Sequence, residues 1–328
     1  MPATDHAIVA EGLERSFGDD VVVNGVDLSV PKGTVFACVG PPGAGRSPLI
    51  RMLCGLLTPT GGKAQVAGFD IVSQTRDVRR RVGAVMPGLS FDPRSTGRQA
   101  LGFLGRLYGL RGAALNSRIG ITLELVRLQS GVDQPLSSCE PAVRRRLELA
   151  AALLHGPQVL FLDEATVDLD PADRTSFLAD LRDLQRALAI TVFLATQATA
   201  EADQVADQVA IMDRGRIVAE GTLPELKASV GTERISLRVR GPAEAGARVA
   251  RTVSVVTDVV VNGQEISVTA STSAGALTPL AAALAAEGIA VVELALRRAT
   301  LDDVFLELTG VRLEGLGGRA TLTVPEKK

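Results

Sequence analysis

The sequence predicts an α/β core with parallel strands, followed by a smaller α+β unit. Three observations carry that expectation. The run Thr34 to Val39 is short, apolar and β-rich, as in strands buried inside a parallel sheet, and leads through the turn GPPGAGRS into a helix from Leu49 to Leu57. A second such run, Val159 to Leu162, closes on Asp163-Glu164, with a helix over 172–188 and a strand from Thr191 to Ala195 behind it. After Gly231 the pattern restarts: Ile235, Leu237 and Val239 alternate with polar residues, the mark of a half-buried strand.

The remaining elements follow in order. Val21 to Val30 is β-branched around a turn at Asn24-Gly25, and Pro31-Lys32-Gly33 breaks the run. Residues 88–154 are mostly helical by pattern and contain Arg144-Arg145-Arg146 and an Ala/Leu run. Val209 to Met212 and a hairpin-like 213–216 extend the sheet, Gly221 opens a loop, and residues 224–230 form a closing helix. Strands 255–261 and 265–269 flank Asn262-Gly263, a strong hairpin turn, and helix 277–287, strand 289–296 and helix 300–308 complete the second unit. The expected domains are 1–230, with a helical subdomain at about 88–157, then 231–309, then a mobile tail over 310–328.

Composition narrows the function classes. The 328 residues suit two domains at about 150 residues each. Lys+Arg 35 against Asp+Glu 37 gives −2, which argues against a nucleic-acid binder, since that needs a basic excess. Aromatics are 3%, with no Trp and one Tyr, so stacking platforms for bases or sugars are scarce. Cys38, Cys54 and Cys139 are too scattered for a disulfide framework or a zinc site, which points to a reducing compartment. The N-terminus lacks an apolar signal-peptide core. The most apolar stretch, Ala274 to Leu296, is interrupted by Pro279, Glu287, Gly288 and Glu293, so a helix and a strand are expected there, not a membrane span. The expected location is cytosolic unless something holds the chain at a membrane.

Gly40-Pro41-Pro42-Gly43-Ala44-Gly45-Arg46-Ser47 fits the phosphate-binding pattern G-x-x-x-x-G-K-[ST], with Arg46 in the lysine position. In an intact loop, glycines let backbone N–H groups approach phosphates, the lysine reaches the β- and γ-phosphates, and the hydroxyl holds Mg²⁺. Arg46 keeps the charge but is planar and bulkier. Pro48 has no N–H to offer a phosphate, though proline is acceptable in a first helical turn. Alone, this loop could be an ordinary glycine turn. The run VLFLDE adds a Walker B pattern, with Asp163 at a strand end as metal ligand and Glu164 beside it as candidate base. Both motifs, in this order, make the phosphate reading the stronger one.

From Ile8 to about Leu308 the chain resembles the ATP-binding subunits of ABC transporters, most closely the daunorubicin/doxorubicin-resistance type of drug-exporter ATPase. The residues that carry the resemblance are GPPGAGRSPLIRMLCGLL, VRRRLELAAALLHGPQVLFLDEATVDLDP, TVFLATQATAEADQVADQVAIMDRGRIVAEGTLPELK and LRRATLDDVFLELTG. The resemblance implies a RecA-like P-loop core with an antiparallel β-subdomain, an inserted helical subdomain and a small C-terminal α+β domain. It implies ATP and Mg²⁺ as cofactors. It also implies an integral-membrane permease as partner and a homodimer or heterodimer with another ABC ATP-binding subunit closing around two ATPs. The chain would then lie on the inner face of the cell membrane, held through the permease.

The resemblance carries over unevenly. It gives Phe17 the role of stacking on adenine, although a core phenylalanine explains the residue equally. It makes Asp163 and Ser47 the Mg²⁺ ligands and Glu164 the catalytic carboxylate, and puts Asp170 in the loop that crosses the dimer interface, with Asp168 replacing a glycine. Pro87 stands where a glutamine should touch metal or water. Gln197 stands where most relatives carry a γ-phosphate-sensing histidine, and drug-resistance-type members often have glutamine there. His6 and His155 are expected at the surface. Leu136-Ser137-Ser138 looks like the start of the LSGG signature, but counting back from Arg144-Arg145-Arg146 puts Glu140, Pro141 and Ala142 at the Ser-Gly-Gly positions. A carboxylate would then face the partner's γ-phosphate.

Three readings follow: an ABC ATP-binding subunit of an exporter with weak or lost turnover; a non-hydrolysing structural or regulatory subunit with the same fold; and an unrelated P-loop kinase or GTPase, in which the basic run between the two Walker segments would have no role.

Overall fold

The computed structural model describes residues 5–87, 91–230, 233–270 and 273–309. The segment 310–328, expected as a tail, lies outside these, as do Gly88 and Gly231, where boundaries were expected. The chain divides into two compact units, one ending at Leu223 and one beginning at Pro224.

The first unit opens with β1 (His6–Phe17), β2 (Asp20–Pro31), β3 (Val35–Val39), α1 (Arg46–Leu53), β4 (Gly61–Val66), β5 (Phe69–Asp70), α2 (Thr75–Arg81) and β6 (Val82–Val85). The helical insert is α3 (Gly97–Leu107), α4 (Gly112–Leu125), a 3-10 turn (Leu136–Ser138) and α5 (Pro141–Leu153). Then come β7 (Val159–Asp163), α6 (Pro171–Leu188), β8 (Thr191–Thr196), α7 (Thr199–Val205), β9 (Gln208–Asp213) and β10 (Arg216–Thr222). Two sheets result: an antiparallel one ordered β2-β1-β4-β5, and a six-stranded one ordered β10-β9-β3-β8-β7-β6. In the latter, β9, β3, β8, β7 and β6 are parallel and β10 is an antiparallel edge.

The strands β3, β7 and β8 are buried at every residue, which is why they read as continuous apolar runs. Their period of two still sorts the side chains. Val35, Leu160, Leu162, Val192 and Leu194 pack into a cluster that includes residues of the helical insert and α6. Phe36, Phe161 and Phe193 face the other way, toward a cluster with residues of α1 and the antiparallel sheet. The Phe193 ring lies 5.4 Å from Phe36 and 5.6 Å from Phe161, centroid to centroid. Truncating Phe193 to alanine is expected to cost about 3–5 kcal/mol, read as a drop in the first unit's denaturation midpoint.

Two sequence expectations change here. Asn24-Gly25 is not the expected turn: it is an irregularity inside the continuous strand β2, with Gly25 at φ 64° and the Asn24 N–H donating to the Gly215 carbonyl at 2.8 Å. His155 is not a surface residue. It is half-buried, its ring stacks on Tyr108 at 4.4 Å between centroids, and its Nε2 contacts the Val82 carbonyl at 3.0 Å. Burial, reinforced by the charge of Arg118 and opposed by the Val82 carbonyl, holds its pKa below the usual imidazole value. Below about pH 6.5 the unfolded chain therefore takes up a proton that the folded chain refuses. Stability is expected to fall as pH drops through that region, and His155→Phe should flatten this part of the melting-temperature profile.

The second unit contains α8 (Leu223–Ser229) from Pro224 onward, then β11 (Glu233–Val239), α9 (Ala243–Thr252), β12 (Val256–Asn262), β13 (Glu265–Ala270), α10 (Ser273–Ala286), β14 (Val291–Arg298) and α11 (Leu301–Thr309). The division thus falls ahead of the body of α8, which was expected to close the first domain. The four strands form an antiparallel sheet ordered β12-β13-β11-β14. The Asn262-Gly263 hairpin forms, with Asn262 paired to Glu265. α10 starts ahead of the expected residue 277 and carries Pro279 inside it. Ala276, Leu280 and Leu284, one turn apart, are fully buried, so packing of that stripe outweighs the proline. The stretch from Ala274 to Leu296 is thus a helix and a strand, and among the described residues no helix is long and apolar enough to cross a membrane.

Candidate functional site

The site forms where β3 and β7, on either side of β8, release the chain at their carboxyl ends, the usual place for ligands in a parallel sheet. After β3 the chain turns through residues 40–45 into α1. Gly43 (φ 81°) and Gly45 (φ 102°) hold left-handed backbone, and a Cβ on Gly45 would sit 2.3 Å from the Val22 carbonyl oxygen. Gly43 is thus called for by its backbone conformation, and Gly45 by conformation and close packing together. The loop and Val22 enclose a small recess of about 100 Å³, lined by Arg46, Ser47 and Pro48. A much larger apolar cavity of about 860 Å³ lies away from this loop, with Met86, Phe91, Phe103, Tyr108 and His155 in its wall.

Four side chains from the two Walker segments meet at this point. Ser47 Oγ donates to Asp163 Oδ1 at 3.0 Å. Arg46 Nη2 lies 2.7 Å from Glu164 Oε1, an ion pair whose side chains are only 7% and 19% exposed. Among the described residues, Arg46 Nε, Arg46 Nη1 and Asp163 Oδ2 are buried with no hydrogen-bond partner. Burial pushes the Asp163 carboxyl up, opposed by Ser47 and Arg46. Burial also pushes Glu164 up, opposed by the charge and hydrogen bond of Arg46. Glu164 has φ 51°, unusual for a residue with a Cβ, and its N–H donates to the Ala195 carbonyl at 2.9 Å. Unpaired donors on Arg46, an unpaired acceptor on Asp163 and the left-handed backbone of Glu164 thus lie within one group of linked residues.

The other expected site residues sit around it. Gly40 directly follows β3, its N–H donating to the Thr196 carbonyl at 3.3 Å, and the Pro41 carbonyl accepts from the Ala44 N–H at 3.1 Å, while Pro42 is exposed. Gln197 follows β8 directly and is half-buried. Phe17 is 50% exposed, so the core alternative does not hold; the Arg15 guanidinium lies 4.4 Å from its ring centroid. Asp170 caps α6, accepting from the Asp173 N–H at 2.8 Å. Asp168 is exposed and paired with Arg145 at 3.4 Å. Pro87 is exposed just past β6.

Glu140 is the exposed residue preceding α5, in extended conformation, with no side-chain capping bond, and Pro141 opens the helix. Ala142 follows, half-buried. Ser137 and Ser138 lie one element earlier, in the 3-10 turn, where Ser138 Oγ donates to the Pro135 carbonyl at 2.7 Å. The basic run is occupied within the chain: Arg144 donates to the Leu136 carbonyl, Arg145 pairs with Glu148 at 2.7 Å, and Arg146 pairs with Asp180 at 2.6 Å. The sequence did not reveal the cluster of Thr166, Thr196 and Glu201, in which both hydroxyls donate to the buried Glu201 carboxylate from the loop after β7 and the end of β8. The signal was a glutamate on the buried face of a short helix.

Comparison with known proteins fits this geometry. The ABC transporter family pattern matches residues 23–167, and the pattern for the C-terminal domain of DrrA1-3-like ATP-binding proteins matches 221–309, close to the division between the two units. The chain is 39% identical to the daunorubicin resistance ATP-binding protein DrrA3 of Streptomyces coeruleorubidus, over 93% of this chain and 96% of that one. The chain belongs to the ABC transporter ATP-binding family. Other members include the linearmycin resistance ATP-binding protein LnrL of Bacillus subtilis, 31% identical over 92% of this chain and 97% of that one. The structure of the ABC subunit cbiO1 from Clostridium perfringens covers 66% of this chain and 89% of its own, at 25% identity and a TM-score of 0.62. The fold is that of a P-loop ABC ATPase, with a C-terminal α+β domain, and nucleotide binding is the property that membership implies.

Proposed function

We propose that this chain is the ATP-binding subunit of a drug-type exporter. It takes Mg-ATP at residues 40–48, pairs with a second ATP-binding subunit, and couples to a separate integral-membrane permease at the cytoplasmic face. Residues 1–230 act as the nucleotide-binding domain, and 231–309 as an appended domain. The observation that carries the reading is the meeting of Ser47 with Asp163 and of Arg46 with Glu164, beside the glycine-bounded recess that Arg46 and Ser47 line. The unpartnered Arg46 nitrogens suit phosphate oxygens, and the unpartnered Asp163 Oδ2 beside Ser47 suits a hard divalent cation. Such a cation, when bound, would neutralise charge on the phosphates. Glu164 would orient the attacking water, with Gln197 near the terminal phosphate and Phe17 against the base.

A second reading, binding with little or no hydrolysis in a regulatory subunit, is favoured by one feature: the carboxylate that should orient water is engaged by Arg46. ATP binding and phosphate release measured on one sample separate the two. Binding is expected, with slow release that Glu164→Gln abolishes; release unaffected by that change would assign it to another base. Arg46→Lys with Pro48→Thr should tighten ATP binding, by restoring a compact cation and a backbone donor, and a titration showing no gain would mean that another feature closes the recess.

A further inference from the structure

We propose that the Arg46–Glu164 ion pair makes this site prefer a nucleoside diphosphate over a triphosphate, an inference that rests on the nucleotide-binding reading above. A cation at this loop position is the group that meets the terminal phosphates. Here one guanidinium nitrogen, Nη2, is held 2.7 Å from Glu164 Oε1, and Arg46 is 6% exposed. The nitrogens left over are Nε and Nη1, both buried and without partners among the described residues. They are buried donors without an acceptor, on a side chain that also lines the recess of about 100 Å³.

Each of the two free nitrogens can donate to a phosphate oxygen while Nη2 keeps its carboxylate. A diphosphate asks nothing more. A third phosphate competes with Glu164 for the same guanidinium and brings more negative charge toward that carboxylate. To be held it must displace Glu164, leaving a poorly hydrated carboxylate without its cation, or accept the repulsion. Lysine at this position would not create the same conflict, because its ammonium is a compact point charge that turns freely among partners, whereas the guanidinium is a planar fork fixed by its first bond. Pro48 deepens the effect by removing one neutral donor from the first turn of α1. The glycine loop is otherwise intact, so the preference originates in this pair and not in a collapsed backbone.

The test is equilibrium titration of the full-length chain with Mg-ADP and with the non-hydrolysable β,γ-imido analogue of Mg-ATP, which needs no turnover. The parent is expected to bind ADP about tenfold more tightly than the analogue. Glu164→Gln keeps the shape and removes the charge, so the analogue should tighten by about tenfold while ADP changes by less than about threefold. Arg46→Lys should narrow the ratio in the same direction, and serves alone if Glu164→Gln lowers the melting temperature. A parent that binds the analogue as tightly as ADP, or a ratio that neither substitution moves, overturns the proposal and leaves the nucleotide reading standing. Binding of neither nucleotide by the parent or either variant overturns both.

Discussion

A chain carrying Glu140→Ser, Pro141→Gly and Ala142→Gly, in a background of Arg46→Lys, Pro48→Thr and Glu164→Gln, is expected to dimerise when ATP is added. The same background with residues 140–142 unchanged should stay monomeric or close far more weakly. The argument rests on the helix. Glu140 is exposed at the start of α5, in extended conformation, and its carboxylate makes no capping bond, so nothing local consumes its charge. Under the proposed pairing it would face the terminal phosphate of the partner's ATP. At ~4 Å and an effective dielectric of ~20, two unit like charges repel by about 4 kcal/mol, roughly a thousandfold in a closure constant. Pro141 removes a backbone donor at the same place. Substituting Ser137 and Ser138 instead should do little: they sit in the preceding 3-10 turn, and Ser138 is bonded to Pro135. Light scattering with and without ATP reads the result. Closure governed by 137–138 and indifferent to 140–142 would mean that the signature lies in the other register.

The proposed register is counted from the basic run, and what that run does was not legible in the sequence. Arg145 and Arg146 are committed to Glu148 and Asp180, and Arg144 to the Leu136 carbonyl. They fasten α5 to its surroundings, and nothing in their spacing distinguishes that from a phosphate-facing patch. The buried parallel strands were legible, since both faces of β3, β7 and β8 are covered and their composition shows it. β1 escaped notice for the opposite reason. Its pairing with β2 shifts register between Ala10 and Leu13, around Gly12 at φ 55°, and this interrupts the alternation that would identify a strand.

At the site, the residue types were readable and their partnership was not. Arg46 and Glu164 are far apart in sequence, and the adjacency of β3, β8 and β7 brings them to 2.7 Å. His155 shows the same limit. Its neighbours on α5 are apolar, but what buries the ring is Tyr108 and the start of β6, both remote in sequence. Phe17 runs the other way: an aromatic that residue type alone would put in a core is half exposed at the last residue of β1.

Gly45→Ala is expected to damage the protein far more than Gly43→Ala, although both glycines belong to the same loop and both have positive φ. Gly43 has open space where a Cβ would stand, so alanine there should cost only the backbone penalty of about 1–2 kcal/mol. Gly45 adds a collision. Its Cβ would lie 2.3 Å from the Val22 carbonyl oxygen and 2.9 Å from Met212 Cε. The first of these is backbone of β2 and cannot rotate away. Gly45 is also the residue from which α1 starts, its carbonyl accepting from the Leu49 N–H at 3.0 Å, so relieving the clash means moving the helix end that carries Arg46 and Ser47. A loss above about 4 kcal/mol follows, at about 2–4 °C of melting temperature per kcal/mol for a unit of this size. Because the chain has two units, the measurement must follow the first unit's own transition, for instance by proteolysis within β2 or by hydrogen exchange of β3. Mg-ADP binding should disappear in Gly45→Ala and survive, weakened, in Gly43→Ala. Equal losses at the two positions would mean that β2 yields at Val22, and that the close approach of strand and loop does not set the shape of the recess.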